Sequence, residues 1–367
     1  MAPEIRSTLK WLLPIALIAA SGVASAEDKV VYVYNWSNYI ADNTVANFTK
    51  ATGIKVTYDV YDTMETLEAK VYAGGSGYDV IVPTNPNLKR MIDAGVLLPL
   101  DKSKLPNDKH QWPLIAQRLA AYDPGNKYAE DYMWGTTGIG YDEAKIKKIM
   151  PDAPVNSWAM IFDPKIVSKF KDCGVEILDS PDDVIPSALA YLGLNPDSKS
   201  EDDLNKAAAT ITAIVPYLQK LTSSEIDDVA NGDACLVLGY SGDIYQARDA
   251  AVQAKNGVKV QYSIPKEGAL MWFDSMAILK DAPHPDAALA FINYMMDPKV
   301  AAANTNFVEY PNGNVDSQKY IDKDIIGDPE TYPPKQVLEK GLFITTPNDQ
   351  NAQRVVTRLW TTIKTGQ

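Results

Sequence analysis

Between Val30 and Pro83 the chain alternates strand and helix patterns, and this alternation restricts the architecture more than any other feature. Residues 30–34 are β-branched and aromatic. Residues 43–51 repeat apolar positions at helical spacing through Val45, Phe48 and Ala51, and a second strand-like run follows Gly53-Ile54 at 55–60. Thr63 caps a helix through Leu67, Val71 and Tyr72, which Gly74-Gly75-Ser76-Gly77 ends. Residues 78–82 form a third strand stopped by Pro83. Strands joined through helices pair in parallel, so the pattern predicts an α/β fold built from βαβ units. Ligands of such sheets sit beyond the carboxyl ends of the strands. Trp36-Ser37-Asn38-Tyr39 follows the first strand and Thr84-Asn85 the third, so both lie on one rim.

The rest of the chain continues the pattern with an interruption. Residues 134–141 carry Gly135, Gly138 and Gly140 in an order that is not a dinucleotide fingerprint, and they predict an extended crossing into a second α/β region. Helices are expected at 144–150, 165–170, 183–192 and 203–221, and a buried strand at 234–238 runs into Gly239-Tyr240. Strands at 258–264 and 271–279, joined by Pro265-Lys266-Glu267-Gly268, bring the chain back; helices at 285–296 and 352–365 follow. Two crossings between two regions describe a hinge. The expected lobes are 27–135 with 264–315, and 136–263 with 316–367.

The first 26 residues read as a secretory signal peptide. Arg6 and Lys10 give a basic start, residues 11–20 are apolar apart from Pro14, and Ala24-Ser25-Ala26 is a small-residue cleavage site. The apolar run is shorter than the roughly 20 residues of a transmembrane helix. Glu27 rather than Cys follows the site, so a diffusing protein of a bacterial periplasm is expected. The net charge of −12 argues against nucleic acid and anionic lipid as partners and attracts cations at low salt; ordinary surface solvation explains it equally well. Cys173 and Cys235 read as one disulfide in an oxidising compartment, with two buried thiols as the alternative. Together with the scattered His110 and His284 they lack metal-ligand spacing, and no metal or cofactor is expected.

Three segments join aromatic rings to polar or acidic groups: Trp36-Ser37-Asn38-Tyr39, Tyr240-Ser241-Gly242-Asp243 and Trp272-Phe273-Asp274-Ser275. Alternation along a strand puts Trp272 and Asp274 on one face. A ring face and a carboxylate both attract an organic ammonium ion, so the three segments together describe a cage for a small cation. Plainer readings exist for most of them. Trp36 and Tyr39 read equally as core aromatics, Asp243 as a helix N-cap, Asp183 as the acidic first turn of a helix, and Tyr310-Pro311-Asn312-Gly313 as a turn. Asp274 resists one, because a carboxylate among Met271, Phe273, Met276 and Ile278 is costly to bury without a partner. Enzymatic chemistry finds little support: GxSxG, P-loop and HExxH motifs are absent, and SxxK at Ser7, Ser168 and Ser263 is a loose spacing. Asp243 and Asp274 as paired carboxylates leave a secreted glycoside hydrolase as the enzymatic alternative.

With these residues in place, the chain resembles the periplasmic polyamine-binding proteins of bacterial ABC transporters, the putrescine- and spermidine-binding family. The resemblance rests on Tyr34-Asn35-Trp36-Ser37-Asn38-Tyr39-Ile40, Gly77-Tyr78-Asp79-Val80-Ile81-Val82-Pro83, Tyr132-Met133-Trp134-Gly135-Thr136, Gly239-Tyr240-Ser241-Gly242-Asp243, Ile264-Pro265-Lys266-Glu267-Gly268-Ala269 and Tyr332-Pro333-Pro334. It implies a type II two-lobed fold that closes over an amine, a monomer without catalysis, and an inner-membrane ABC permease as partner. By position it implies Trp36, Tyr39, Tyr240, Trp272 and Tyr310 as an aromatic box, Asp243 and Asp274 as amine-binding carboxylates, and Ser37 and Thr84 as hydrogen-bonding neighbours. Asp183 matches a Glu that contacts amine in putrescine binders and is one methylene shorter. Asn38 stands where an acid is usual, and Pro86-Asn87 where spermidine binders carry an aromatic, whereas Trp272 is the residue spermidine binders favour over Phe. These departures leave putrescine, spermidine, another cationic amine and, for the fold alone, a sugar as ligands.

Overall fold

The computed structural model describes residues 29–366; the expected signal peptide, 1–26, lies outside the described residues. The N-terminal alternation folds as the pattern predicts. Strands β1 (Val30–Trp36), β2 (Lys55–Tyr61) and β3 (Val80–Ile81) pair in parallel, with β1 central. Helix α1 (Thr44–Thr52) ends at Gly53, whose φ of 73° is open to glycine at little cost. Helix α2 (Met64–Tyr72) starts where Thr63 accepts the Thr66 N–H. The remaining strands are β4 (Leu97–Leu98), β5 (Ala129–Asp142), β6 (Val175–Leu178), β7 (Lys220–Thr222), β8 (Leu236–Tyr240), β9 (Val260–Ser263), β10 (Ala269–Leu279) and β11 (Leu342–Phe343).

A second parallel set, β7-β6-β8, mirrors the first, and the long antiparallel strands β5 and β10 run between them in the order β2-β1-β3-β10-β5-β8-β6-β7. The part of β5 from Ala129 to Thr137 pairs with β10, and the part from Thr137 to Asp142 pairs with β8 and β9. The crossing expected at 134–141 is therefore one strand shared by two halves. Each half has its own core. Val33, Phe48, Trp272, Met276 and Phe291 belong to one, and Trp158, Phe162, Ile211 and Leu236 to the other, which the last helix, Gln350–Thr365, joins through Trp360. Leu338 and Leu342 pack instead with Trp134 and Phe273. The result is a two-lobed mixed α/β architecture. Cys173 and Cys235 form a disulfide with their Cα atoms 5.5 Å apart.

Several elements differ from the sequence pattern. Helix α3 (Asn85–Asp93) starts at once after β3, with Pro86 in its first turn, where the sequence reading saw only a polar rim. The helix expected over 203–221 stops at Ile214, because Pro216 lacks the N–H for a further turn, and the chain re-enters the sheet as β7. Residues 165–170 divide between the short helix Pro164–Val167 and a 3-10 turn. The segment from Tyr310 to Asn314, read from sequence as a turn, is buried, its Pro311 carbonyl accepting the Trp134 N–H.

Candidate ligand-binding site

Strand β10 supplies the centre of the site. Its register opposite β5 sets Trp272 against Gly135 and Asp274 against Met133. Glycine at 135 is required by the ring: a Cβ there would lie 2.4 Å from Trp272 Cζ2. Asp274 is buried, and both its oxygens are bonded. Thr84 Oγ1–H donates to Oδ1 at 2.6 Å, and Tyr39 Oη–H donates to Oδ2 at 2.9 Å. These donors come from the segments after β3 and β1, the rim on which the topology placed them.

The Tyr39 ring packs edge-on against Tyr310, with centroids 5.4 Å apart. Tyr310 Oη–H donates to Asp243 Oδ1 at 2.7 Å and accepts the Asp243 N–H at 3.1 Å. Asp243 is thus not the N-cap of its helix. That helix is Ser241–Ala254, Tyr240 occupies the cap position, and Asp243 lies in the first turn. Gly242 leaves room for the Tyr310 ring, since a Cβ would come within 2.4 Å of it. Trp272 bridges the remaining rings, at 5.2 Å from Tyr310 and 5.6 Å from Tyr240.

Tyr240 leads to the third carboxylate. Its Oη–H donates to Asp183 Oδ2 at 3.1 Å, Ser180 Oγ–H to the same oxygen at 2.6 Å, and Thr137 Oγ1–H to Oδ1 at 2.7 Å. Asp183 occupies the first turn of the helix Pro181–Tyr191, as its spacing implies, and it also faces the aromatic wall. Tyr39, Thr84, Asp183, Tyr240, Asp243, Trp272, Asp274 and Tyr310 are therefore linked by direct contacts. Trp36 and Ser37 lie at the margin: the Trp36 indole donates to the Val82 carbonyl at 3.0 Å and Ser37 N–H to that of Tyr61 at 3.1 Å. Asn38 is exposed, with a left-handed φ of 53° that Asn tolerates better than most residues. Tyr61, which bonds the Val82 carbonyl at 2.6 Å and feels the charge of Asp274, and Thr137 were missed by the sequence reading. The glycines facing bulky rings were the available signal for the wall.

The electrostatics follow from burial. Burial pushes the Asp274 carboxyl up to about 7, against the pull of the Thr84 and Tyr39 hydroxyls, with the charges of Asp183 and Asp243 adding to the rise. Burial likewise pushes Asp243 up to about 6, against the Tyr310 hydroxyl. Asp183 is raised by burial and held back by Ser180, Thr137 and Tyr240. Every side-chain hydrogen bond these three carboxylates accept comes from a neutral hydroxyl. Three buried acids bordering aromatic faces, with no side-chain cation among their hydrogen-bond partners, are an arrangement able to take an organic cation.

Residues 43–333 match the sequence profile of a family described as bacterial extracellular solute-binding protein. Among curated proteins, the chain is 49% identical to the putrescine-binding periplasmic protein SpuD of Pseudomonas aeruginosa, over 98% of both chains. It is 45% identical to the putrescine-binding periplasmic protein PotF of Escherichia coli, again over 98% of both. Among solved structures it is similar to the spermidine/putrescine ABC transporter substrate-binding protein PotD of Streptococcus pneumoniae, with a TM-score of 0.77 and 26% identity over 92% of this chain and 98% of that one.

Proposed function

Because the chain belongs to the bacterial extracellular solute-binding protein family, we propose that it is the periplasmic receptor of an ABC importer for an aliphatic polyamine, putrescine foremost. The observation that carries this reading is the set of buried carboxylates, Asp183, Asp243 and Asp274, whose side-chain donors are all neutral hydroxyls and which border Tyr39, Tyr240, Trp272 and Tyr310. The rings accommodate methylene groups and the carboxylates take the ammonium ends. A micromolar complex corresponds to about −8 kcal/mol, and cation–π contacts of roughly 0.5–2 kcal/mol each fall short of that after desolvation. Charge pairing therefore carries recognition. The names of the relatives with 49% and 45% identity favour putrescine over spermidine.

In this reading residues 1–26 are the cleaved signal peptide, the mature protein is a monomer, and no bond chemistry occurs. The lobes, 27–135 with 264–315 and 136–263 with 316–367, close about β5 and the connection between β9 and β10. Closure brings the Tyr310 hydroxyl onto Asp243, beside the Gln246 Nε2 bond to the Val308 carbonyl at 3.1 Å and the Arg248–Glu309 pair at 3.0 Å. The closed complex is then recognised by the permease. Calorimetric titration with putrescine, cadaverine, agmatine, spermidine and a simple monoamine tests the reading. Binding of a diamine that weakens with salt supports it, and binding of none of the amines rejects it.

A further inference from the structure

Glu225 is a carboxylate outside the cage, fully buried just before the helix Ile226–Asn231. It lies on the backbone that carries two cage residues. Its Oε1 accepts the Tyr240 N–H at 2.9 Å, and a Cβ on Gly239 would come within 2.3 Å of that oxygen, so only glycine lets the carboxyl reach this turn. Glu225 therefore reaches the residue that caps the helix Ser241–Ala254, whose first turn carries Asp243. A bare helix N-terminus is electropositive and opposes a cation, and ionised carboxylates placed there offset it. Glu225 Oε2, in contrast, is buried without a hydrogen-bond partner.

The groups that act on Glu225 add no positive charge of their own. They are Asp243, Glu176 on β6, and the phenols of Tyr240, Tyr262 and Tyr310. Glu176 has Lys220 at 3.7 Å as its own partner. Burial first, and Asp243 next, hold the Glu225 carboxyl well above the usual carboxylate range. Each of two neighbouring acids in a buried site disfavours ionisation of the other, and a cation beside them relieves this.

We propose that Glu225 is a second carboxylate of the amine-binding end, protonated while the cleft is empty and ionised once an ammonium group is held at Asp243, so that capture expels a proton. This inference rests on the amine reading above. The exchange balances: the Glu225 O–H bond breaks, its proton passes to solvent, and the ammonium keeps all of its own, so one positive charge enters as another leaves. Proton release makes amine affinity climb with pH even above the range in which Asp243, near 6, has titrated.

The test is putrescine binding at pH 8 in weakly buffered solution, with a pH-indicator dye reporting protons and calorimetry reporting affinity. The wild type is expected to release protons on binding. Glu225→Gln keeps an oxygen for the Tyr240 N–H and removes the ionisable group; its release should fall close to zero and its affinity by roughly tenfold. Wild-type protein that binds putrescine without releasing protons overturns the inference, as does a variant that releases as many as the wild type. If the variant fails to fold, infrared difference spectra of the wild type decide: loss of a protonated-carboxyl stretch on binding supports the inference, and an unchanged band overturns it. Wild-type protein that binds no amine rejects the proposed function, whereas binding without proton release rejects this inference alone.

Discussion

Asp274 and Asp243 border the same aromatic wall, yet they are held in opposite ways. Asp274 sits within a strand, with both oxygens bonded by Thr84 and Tyr39 from the segments after β3 and β1, on the same side of the molecule. Asp243 sits on the first turn of a helix that packs with β8 and β9, and its hydroxyl partner Tyr310 belongs to the segment packed with Tyr39 and Tyr132. The difference separates two tasks. A carboxylate whose partners share its own half is pre-organised before any closure, whereas one whose partner crosses from the other half is completed only when the halves meet.

The largest effect should come from Asp274→Ala. Truncating a buried, hydrogen-bonded carboxylate that pairs with a cation costs about 2–5 kcal/mol, so amine affinity should fall by roughly a hundredfold or more in calorimetry. Asp243→Ala should cost about tenfold. Losses of equal size would break the contrast between a pre-organised and a completed end.

The pH dependence sharpens the contrast. A carboxylate raised to about 7 in the folded chain, against about 4 unfolded, binds more protons when folded. The contribution of this group to the stability of the ligand-free protein is thus fully present below about pH 4 and is lost as pH rises to about 7. Asp274→Asn should flatten the upper part of that decline in thermal melts, and Asp243→Asn a lower part, ending near 6. Melting profiles of the two variants that run parallel to that of the wild type over the same interval would contradict this assignment.

Smaller effects are expected from the hydroxyls. Tyr310→Phe keeps the ring contacts with Trp272 and Tyr39 and removes both hydrogen bonds of its hydroxyl to Asp243, each worth about 1 kcal/mol. It should weaken amine binding severalfold, mainly through faster dissociation in stopped-flow measurements, because in the proposed closure these bonds join the two halves. Arg248→Met, which breaks the pair of a partly exposed guanidinium with the buried Glu309 outside the cage, should change affinity less than threefold. A larger change than that of Tyr310→Phe would move the closing contact away from the cage.

How much of this was legible depended on range. The βαβ alternation, the Thr63 cap and the shared face of Trp272 and Asp274 follow from periodicities of a few residues. Pro216 and the Asn85-Pro86 helix start were present as local signals that apolar spacing overrode. Glu225 was invisible, since nothing near it in the chain hints that it bonds the amide of Tyr240, fifteen residues away. Gly135 and Gly242 marked places where a side chain had to be absent without saying which ring needed the room.

The amino-acid sequence by itself determined the strands and helices, the rim on which Trp36 to Tyr39 and Thr84 lie, and the residue types able to hold an organic cation, because backbone propensity and alternation act over short distances. Only the tertiary structure decided that Asp274 takes its hydrogens from residues 190 and 235 positions away, and that Asp243 takes its own from Tyr310, 67 positions along. Those pairings depend on strand order and on how the two halves meet, and burial there raises the carboxyls above their ordinary range.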